Sequence, residues 1–168
     1  IGGNADGNAG AICGEAKGAT RIYNCGVLAK DGSSTVAGSK YVGSIVGLLD
    51  GRSRVVNCYS YATVSGGTEN GGIVGYNNYA SKTGDIRTMV MNCMFYGTIS
   101  GASISPIYGG KEISNNSTNR LNNYNYFVDE NIPVSSITKA NGALGAEKRF
   151  LTRFDIVFAC PAGGGKKD

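Results

Sequence analysis

The sequence predicts an all-β chain, a parallel β-helix of about four coils with a C-terminal cap. Three observations predict it. A pair of short motifs recurs along the chain, the composition suits strands and turns rather than helices, and an asparagine holds the same place in each unit.

The opening motif reads Gly10-Ala11-Ile12-Cys13-Gly14, Gly43-Ser44-Ile45-Val46-Gly47 and Gly71-Gly72-Ile73-Val74-Gly75, and more loosely Ser105-Pro106-Ile107-Tyr108-Gly109. The closing motif reads Ile22-Tyr23-Asn24-Cys25, Val55-Val56-Asn57-Cys58 and Val90-Met91-Asn92-Cys93, with a degraded Leu121-Asn122-Asn123-Tyr124. The isoleucines are spaced 33, 28 and 34 residues apart, and the closing positions 33, 35 and 31. A drifting period means one structural unit with loops of variable length. From isoleucine to closing position is 13 residues in the first two units and 20 in the third, so residues 77–83 read as an insertion.

Each unit is too short for a strand, a full helix and a second strand, and no helical period appears between the motifs. Gly, Ser, Thr, Val, Ile and Tyr dominate, which suits short strands. The 27 glycines lack the period of collagen. They flank apolar runs and are assigned to turns that need positive φ.

In the closing motif, apolar residues fall at the Cys position and three before it. Strict alternation would send these to opposite faces. Both point inward only if the chain turns a corner between them, at Asn24, Asn57, Asn92 and Asn123. Asparagine tolerates the left-handed region, and amides stacked at one corner can hydrogen-bond along the stack. After the corner, Cys58, Ser60, Ala62 and Val64 are expected inside, as are Cys93, Phe95, Gly97 and Ile99. Leu28, Tyr61, Tyr96 and Phe127 are then expected in one outward column, flanked by Tyr59 and Met94.

These residues resemble the GLUG repeat of large secreted and surface proteins of bacteria, over roughly residues 9–128. Gly-Gly-Ile-Val-Gly-Tyr, Asn-Cys-Tyr-Ser-Tyr and Val-Ser-Gly carry the resemblance, with Pro106 and Tyr124 as departures in the fourth unit. The resemblance and the general preference for right-handed crossovers imply a right-handed helix. The resemblance also implies a scaffold or adhesin-like binding stalk at the cell surface or in secretion, with other domains in a longer parent chain. It hands over no catalytic residues. The start at Ile1 also reads as a piece of something longer.

Residues 1–130 are read as the repeat domain, 131–160 as a cap and 161–168 as a disordered tail. Within the cap, Ile132, Val134 and Ile137 read as a short strand. Phe150, Leu151, Phe154, Val157 and Phe158 follow helical spacing over residues 146–158.

Composition narrows the chemistry. The sequence has no histidine, which removes Ser-His-Asp and Cys-His machinery. Cys25, Cys58 and Cys93 share one repeat position, but no Cys-x-x-Cys pair exists, so the usual zinc patterns are missing. They are read as a buried apolar ladder, and no metal or cofactor is expected. Cys13 and Cys160 fall outside it and are unassigned. Net charge is +4 and scattered, so no nucleic-acid partner is expected, and no apolar run is long enough to span a membrane.

Two function classes follow. The first is a non-enzymatic module for adhesion, ligand binding or spacing, with a glycan or a host or cell-surface protein as partner. Its candidate ligand-binding residues are Tyr59, Tyr61, Tyr96 and Phe127, whose rings either stack flat ligands or only rigidify one another. The second is a polysaccharide lyase or glycosidase, which needs paired acids. Asp50 and Asp85 lie in corresponding turns, whereas the adjacent Asp129-Glu130 would point to opposite faces of a strand.

Overall fold

A computed structural model describes residues 6–28, 34–78, 88–110, 125–128, 131–132, 134–138 and 143–146. Over these residues the chain is all-β, with short strands, a 3-10 turn at Val134–Ser136, and only parallel pairings. Strands are numbered in chain order. One sheet holds β1 (Cys13–Ala16), β6 (Val46–Leu49), β11 (Val74–Asn77) and β15 (Tyr108–Gly110), in that order. A second holds β5 (Tyr41–Gly43), β10 (Glu69–Gly71) and β14 (Ile104–Ser105). A third holds β2 (Arg21–Tyr23), β7 (Arg54–Val56) and β12 (Met89–Met91). A fourth runs from β3 (Gly26–Val27) through β8 (Tyr59–Ser60), β13 (Met94–Phe95) and β16 (Asn125–Val128) to β17 (Ala143–Ala146). The last pairs β4 (Thr35–Ala37) with β9 (Thr63–Ser65).

Register follows the repeat. Cys13 stands opposite Val46, Val46 opposite Val74, and Val74 opposite Tyr108. That places Ile12, Ile45, Ile73 and Ile107 at one level. The last three are fully buried, whereas Ile12, beside a strand that among the described residues has a neighbour on one side only, is 49% exposed. Asn77 pairs with Leu49 inside β11, so the insertion in the third unit begins later than its sequence pattern suggests.

The motif glycines have a different purpose from the one assigned above. None of Gly10, Gly43, Gly47, Gly71 or Gly75 has positive φ. They lie where two sheets meet backbone to backbone. A Cβ on Gly75 would sit 2.4 Å from Val42 N and 2.7 Å from Gly47 O. Gly-x-Ile-x-Gly is thus a tight bend whose two arms have room for hydrogen only, and in the second and third units Ile45 and Ile73 at its tip fill the core. Tyr41 and Tyr76 stack beside this junction, ring centroids 4.4 Å apart.

The asparagine corner is present as expected. Asn24, Asn57 and Asn92 have φ of 55°, 54° and 52°. Ile22, Val55 and Val90 before the corner are buried, and so are Cys58 and Cys93 after it. Asn57 Nδ2 donates to Asn24 Oδ1 at 3.1 Å, and Asn92 Nδ2 donates to Asn57 Oδ1 at 2.8 Å. Asn123 lies outside the described residues. Asn57→Ala should cost about 2 kcal/mol, combining a left-handed residue without an amide with two half-screened hydrogen bonds. Asn57→Gly should cost about half as much, since glycine accepts the backbone angle. Urea unfolding of both variants checks the order, and equal losses would discard the backbone share.

Three expectations need correction toward the C-terminus. Met94 pairs with Tyr126 and Phe95 with Phe127, so Asn125, not Tyr124, stands opposite Cys93. Phe127 is consequently a core residue, 6% exposed, and not part of an outward column. Val134 lies in the 3-10 turn rather than a strand, while Ile132 is buried in the core. The strand that does follow is β17, which extends the fourth sheet by pairing with β16. Leu121, Tyr124, Cys160, the expected helix over 146–158 and the expected tail over 161–168 lie outside the described residues.

Candidate functional site

The outward face of the fourth sheet carries the aromatic residues singled out in the sequence. Inward positions Cys58, Ser60, Ala62 and Val64 are all fully buried, which fixes Tyr59 and Tyr61 on the other face. Tyr61 and Tyr96 occupy matching positions in successive repeats, and their ring centroids are 4.8 Å apart with planes tilted by 37°. Tyr59 meets Tyr61 edge-on at 6.1 Å and 83°. Its ring lies over Gly26, where a Cβ would come within 2.3 Å of a ring carbon. The missing side chain at Gly26 therefore seats the first ring of the array.

Beneath the rings lies a second, smaller apolar cluster. Met94 and Val128 are buried there, with Tyr59, Tyr96 and Tyr126 packed against them. Tyr126 was missed in the sequence because the expected position of the ladder was one residue early. With Asn125 on the inner level, alternation puts Tyr126 outside, level with Met94 and Tyr59. Asn131 Nδ2 donates to Tyr96 O at 2.5 Å and pins this edge. The structure thus brings Tyr59, Tyr61 and Tyr96 together, adds Tyr126 and removes Phe127. Leu28 stands apart at the end strand, 67% exposed.

The cysteines form a separate inner column. Gly26 pairs with Tyr59 and Tyr59 with Met94, which sets Cys25, Cys58 and Cys93 opposite one another. All are free thiols. Cys58 Sγ lies 3.3 Å from Val56 O and 3.7 Å from Ile22 O. Cys93 Sγ lies 3.3 Å from Met91 O and 3.7 Å from Val55 O. Burial pushes the Cys93 thiol well above its usual range and raises Cys25 as well. A hydrogen bond from the Cys93 thiol is the main influence lowering the Cys58 thiol, against the burial that raises it. Cys13 stands apart, its thiol donating to Glu15 O at 2.8 Å.

The described carboxylates are occupied by structural contacts. Glu15 pairs with Lys17 at 2.8 Å. Asp50 Oδ1 accepts from Gly51 N at 2.7 Å and from Asn78 Nδ2 at 3.1 Å, tying a turn to its neighbour. Glu69 Oε2 accepts from Ser103 Oγ at 3.1 Å. Asp85, Asp129 and Glu130 lie outside the described residues. Among those described, no three metal-ligating side chains converge, and no helix is long and apolar enough to cross a membrane. Comparison with protein-family models, curated proteins and solved structures finds no match to this chain.

Proposed function

We propose that this chain is a right-handed parallel β-helix segment, similar to GLUG repeats, of a bacterial cell-surface or secreted protein, and that it binds glycans through its tyrosine flank. The reading is non-enzymatic. The observation that carries it is the Tyr59–Tyr61–Tyr96 array. Three half-buried rings held at fixed tilt on a paired sheet offer flat apolar surface with little entropy left to lose, and their hydroxyls can meet sugar hydroxyls. The four-level register of β1, β6, β11 and β15 supports one coil per repeat, and the asparagine ladder supports a stiff support for the rings.

A glycan-array screen of the chain beside a Tyr61→Ala/Tyr96→Ala variant tests this. Loss of the rings should weaken any hit about tenfold per ring, with the variant still folded by circular dichroism. No hit, or a hit indifferent to the substitutions, would leave a spacer in place of a binding module. Release of shortened oligosaccharide would instead point to a polysaccharide-degrading enzyme.

A further inference from the structure

The third sheet adjoins the tyrosine flank across the asparagine corner, and its outer face carries charge of one sign. Ile22, Val55 and Val90 point inward and are buried, so alternation puts the residues on either side of them outside. Arg21 stands opposite Arg54, Tyr23 opposite Val56, and Val56 opposite Met91. Both arginines are exposed, as is Arg52 just before β7, and Tyr23 is 41% exposed. Like charges directly opposite on neighbouring strands work against the pairing, and no described carboxylate meets these arginines. The described acids, Asp6, Glu15, Asp50 and Glu69, all lie on or beside the first two sheets, where Glu15 pairs with Lys17. The strands of the third and fourth sheets contain no Asp or Glu at all. Charge that reads as scattered along the sequence is thus segregated among the described residues, with arginine alone on the side that bears the tyrosines.

We infer that the glycan bound on this side is acidic, and that Arg21 and Arg54 hold its carboxylate or sulfate groups. This rests on the glycan reading of the tyrosine flank and names the class of sugar. A guanidinium is a planar fork of N–H donors that meets a carboxylate or sulfate through two bonds at once. An anion seated between Arg21 and Arg54 also relieves their mutual repulsion, so binding removes a cost that the free face carries. The rows beyond the arginines suit a sugar chain. Tyr23, Val56 and Met91 offer apolar surface to the face of a sugar ring. The amides of Asn24, Asn57 and Asn92 follow at the corner, already aligned by their own hydrogen bonds. Tyr59, Tyr61 and Tyr96 continue on the far side. In the second repeat one outward path therefore runs from Arg54 through Val56 and Asn57 to Tyr59 and Tyr61. A nucleic acid is the poorer fit, since three arginines neutralise few phosphates, whereas a sugar chain that carries an occasional acid group needs no more.

The test is calorimetric titration of the whole chain with three probes: hexagalacturonate, which carries carboxylates alone, a heparin hexasaccharide, which adds sulfates, and neutral maltohexaose. At least one acidic probe should bind about tenfold more tightly than the neutral one, and which of them does so separates carboxylate from sulfate. Arg21→Gln/Arg54→Gln, at exposed positions where folding is safe, should weaken that binding by about tenfold or more. Lys17→Gln/Lys40→Gln removes the same charge beside the first two sheets and should leave binding within about twofold. The assignment is overturned if maltohexaose binds as tightly as the acidic probes, or if the arginine variant binds them as the parent does, and either result leaves the glycan reading standing. It is overturned too if both pairs of substitutions weaken binding alike, which would be net charge acting at a distance, or if an oligonucleotide of equal charge binds as tightly as the sugars. Acidic binding that needs the arginines and ignores Tyr61→Ala/Tyr96→Ala would keep the arginine site and remove the tyrosine flank from it. If none of the probes binds, both readings fall.

Discussion

Gly75→Ala is expected to destabilise the chain by about 4 kcal/mol or more, a large part of the stability of an ordinary domain. The added methyl would lie 2.4 Å from Val42 N and 2.7 Å from both Tyr41 C and Gly47 O. All three are backbone atoms of paired strands: Gly47 lies in β6, between β1 and β11, and Tyr41 and Val42 lie in β5, which pairs with β10 and is bridged to Ala9, so none can move without disturbing the register of two sheets. Overpacking in a side-chain core costs about 1–3 kcal/mol because rotamers yield. Here there are no rotamers to yield, which puts the cost above that range. Gly18→Ala is the control. A Cβ there meets nothing within 4 Å, and only its φ of +73° opposes the change, at about 1 kcal/mol. Urea unfolding followed by circular dichroism reads both. A Gly75→Ala variant within 1 kcal/mol of wild type would mean that the two sheets do not meet backbone to backbone.

The bend at Gly75 also shows how far the sequence could be read. Repeat spacing located the motif, because register and period are the same thing in a stack of parallel strands. Composition could not say why glycine was needed. Positive φ and lack of space leave the same letter, and only the facing sheet distinguishes them. The asparagine corner was legible because it combines two constraints, an apolar residue on each side that must both face inward and a residue type that accepts the left-handed region. Tyr59, Tyr61 and Tyr96 were legible for a related reason, since alternation counted from a securely placed cysteine is reliable over a few residues. Phe127 and Tyr126 were exchanged because in the fourth unit no cysteine marks the level. A slip of one residue sends each side chain to the opposite face. The signal that would have prevented it is the pattern of Asn125-Tyr126-Phe127-Val128 against Cys93-Met94-Phe95-Tyr96, in which the two phenylalanines align.

Asn125→Ala should cost about 3 kcal/mol, and Asn125→Cys markedly less. Asn125 occupies the cysteine level of the fourth repeat and is fully buried. Its Nδ2 donates to Val90 O at 3.0 Å. That is the contact Cys93 Sγ makes with Val55 O and Cys58 Sγ makes with Ile22 O, one repeat further on. Asparagine thus stands in for the thiol of the ladder as a donor, and it adds an acceptor, since Cys93 N–H donates to Asn125 Oδ1 at 2.9 Å. Alanine removes both bonds in a dry interior, where each lost partner costs about 1–3 kcal/mol, and leaves space that water cannot usefully fill. Cysteine restores the donor toward Val90 O and most of the volume, so that only the acceptor for Cys93 N–H is lost. The order wild type, Asn125→Cys, Asn125→Ala in thermal midpoint is therefore the result that makes the fourth repeat a true continuation of the ladder. The reverse order of the two variants would mean that Asn125 serves Cys93 N–H alone and that the column of side chains ends at Cys93.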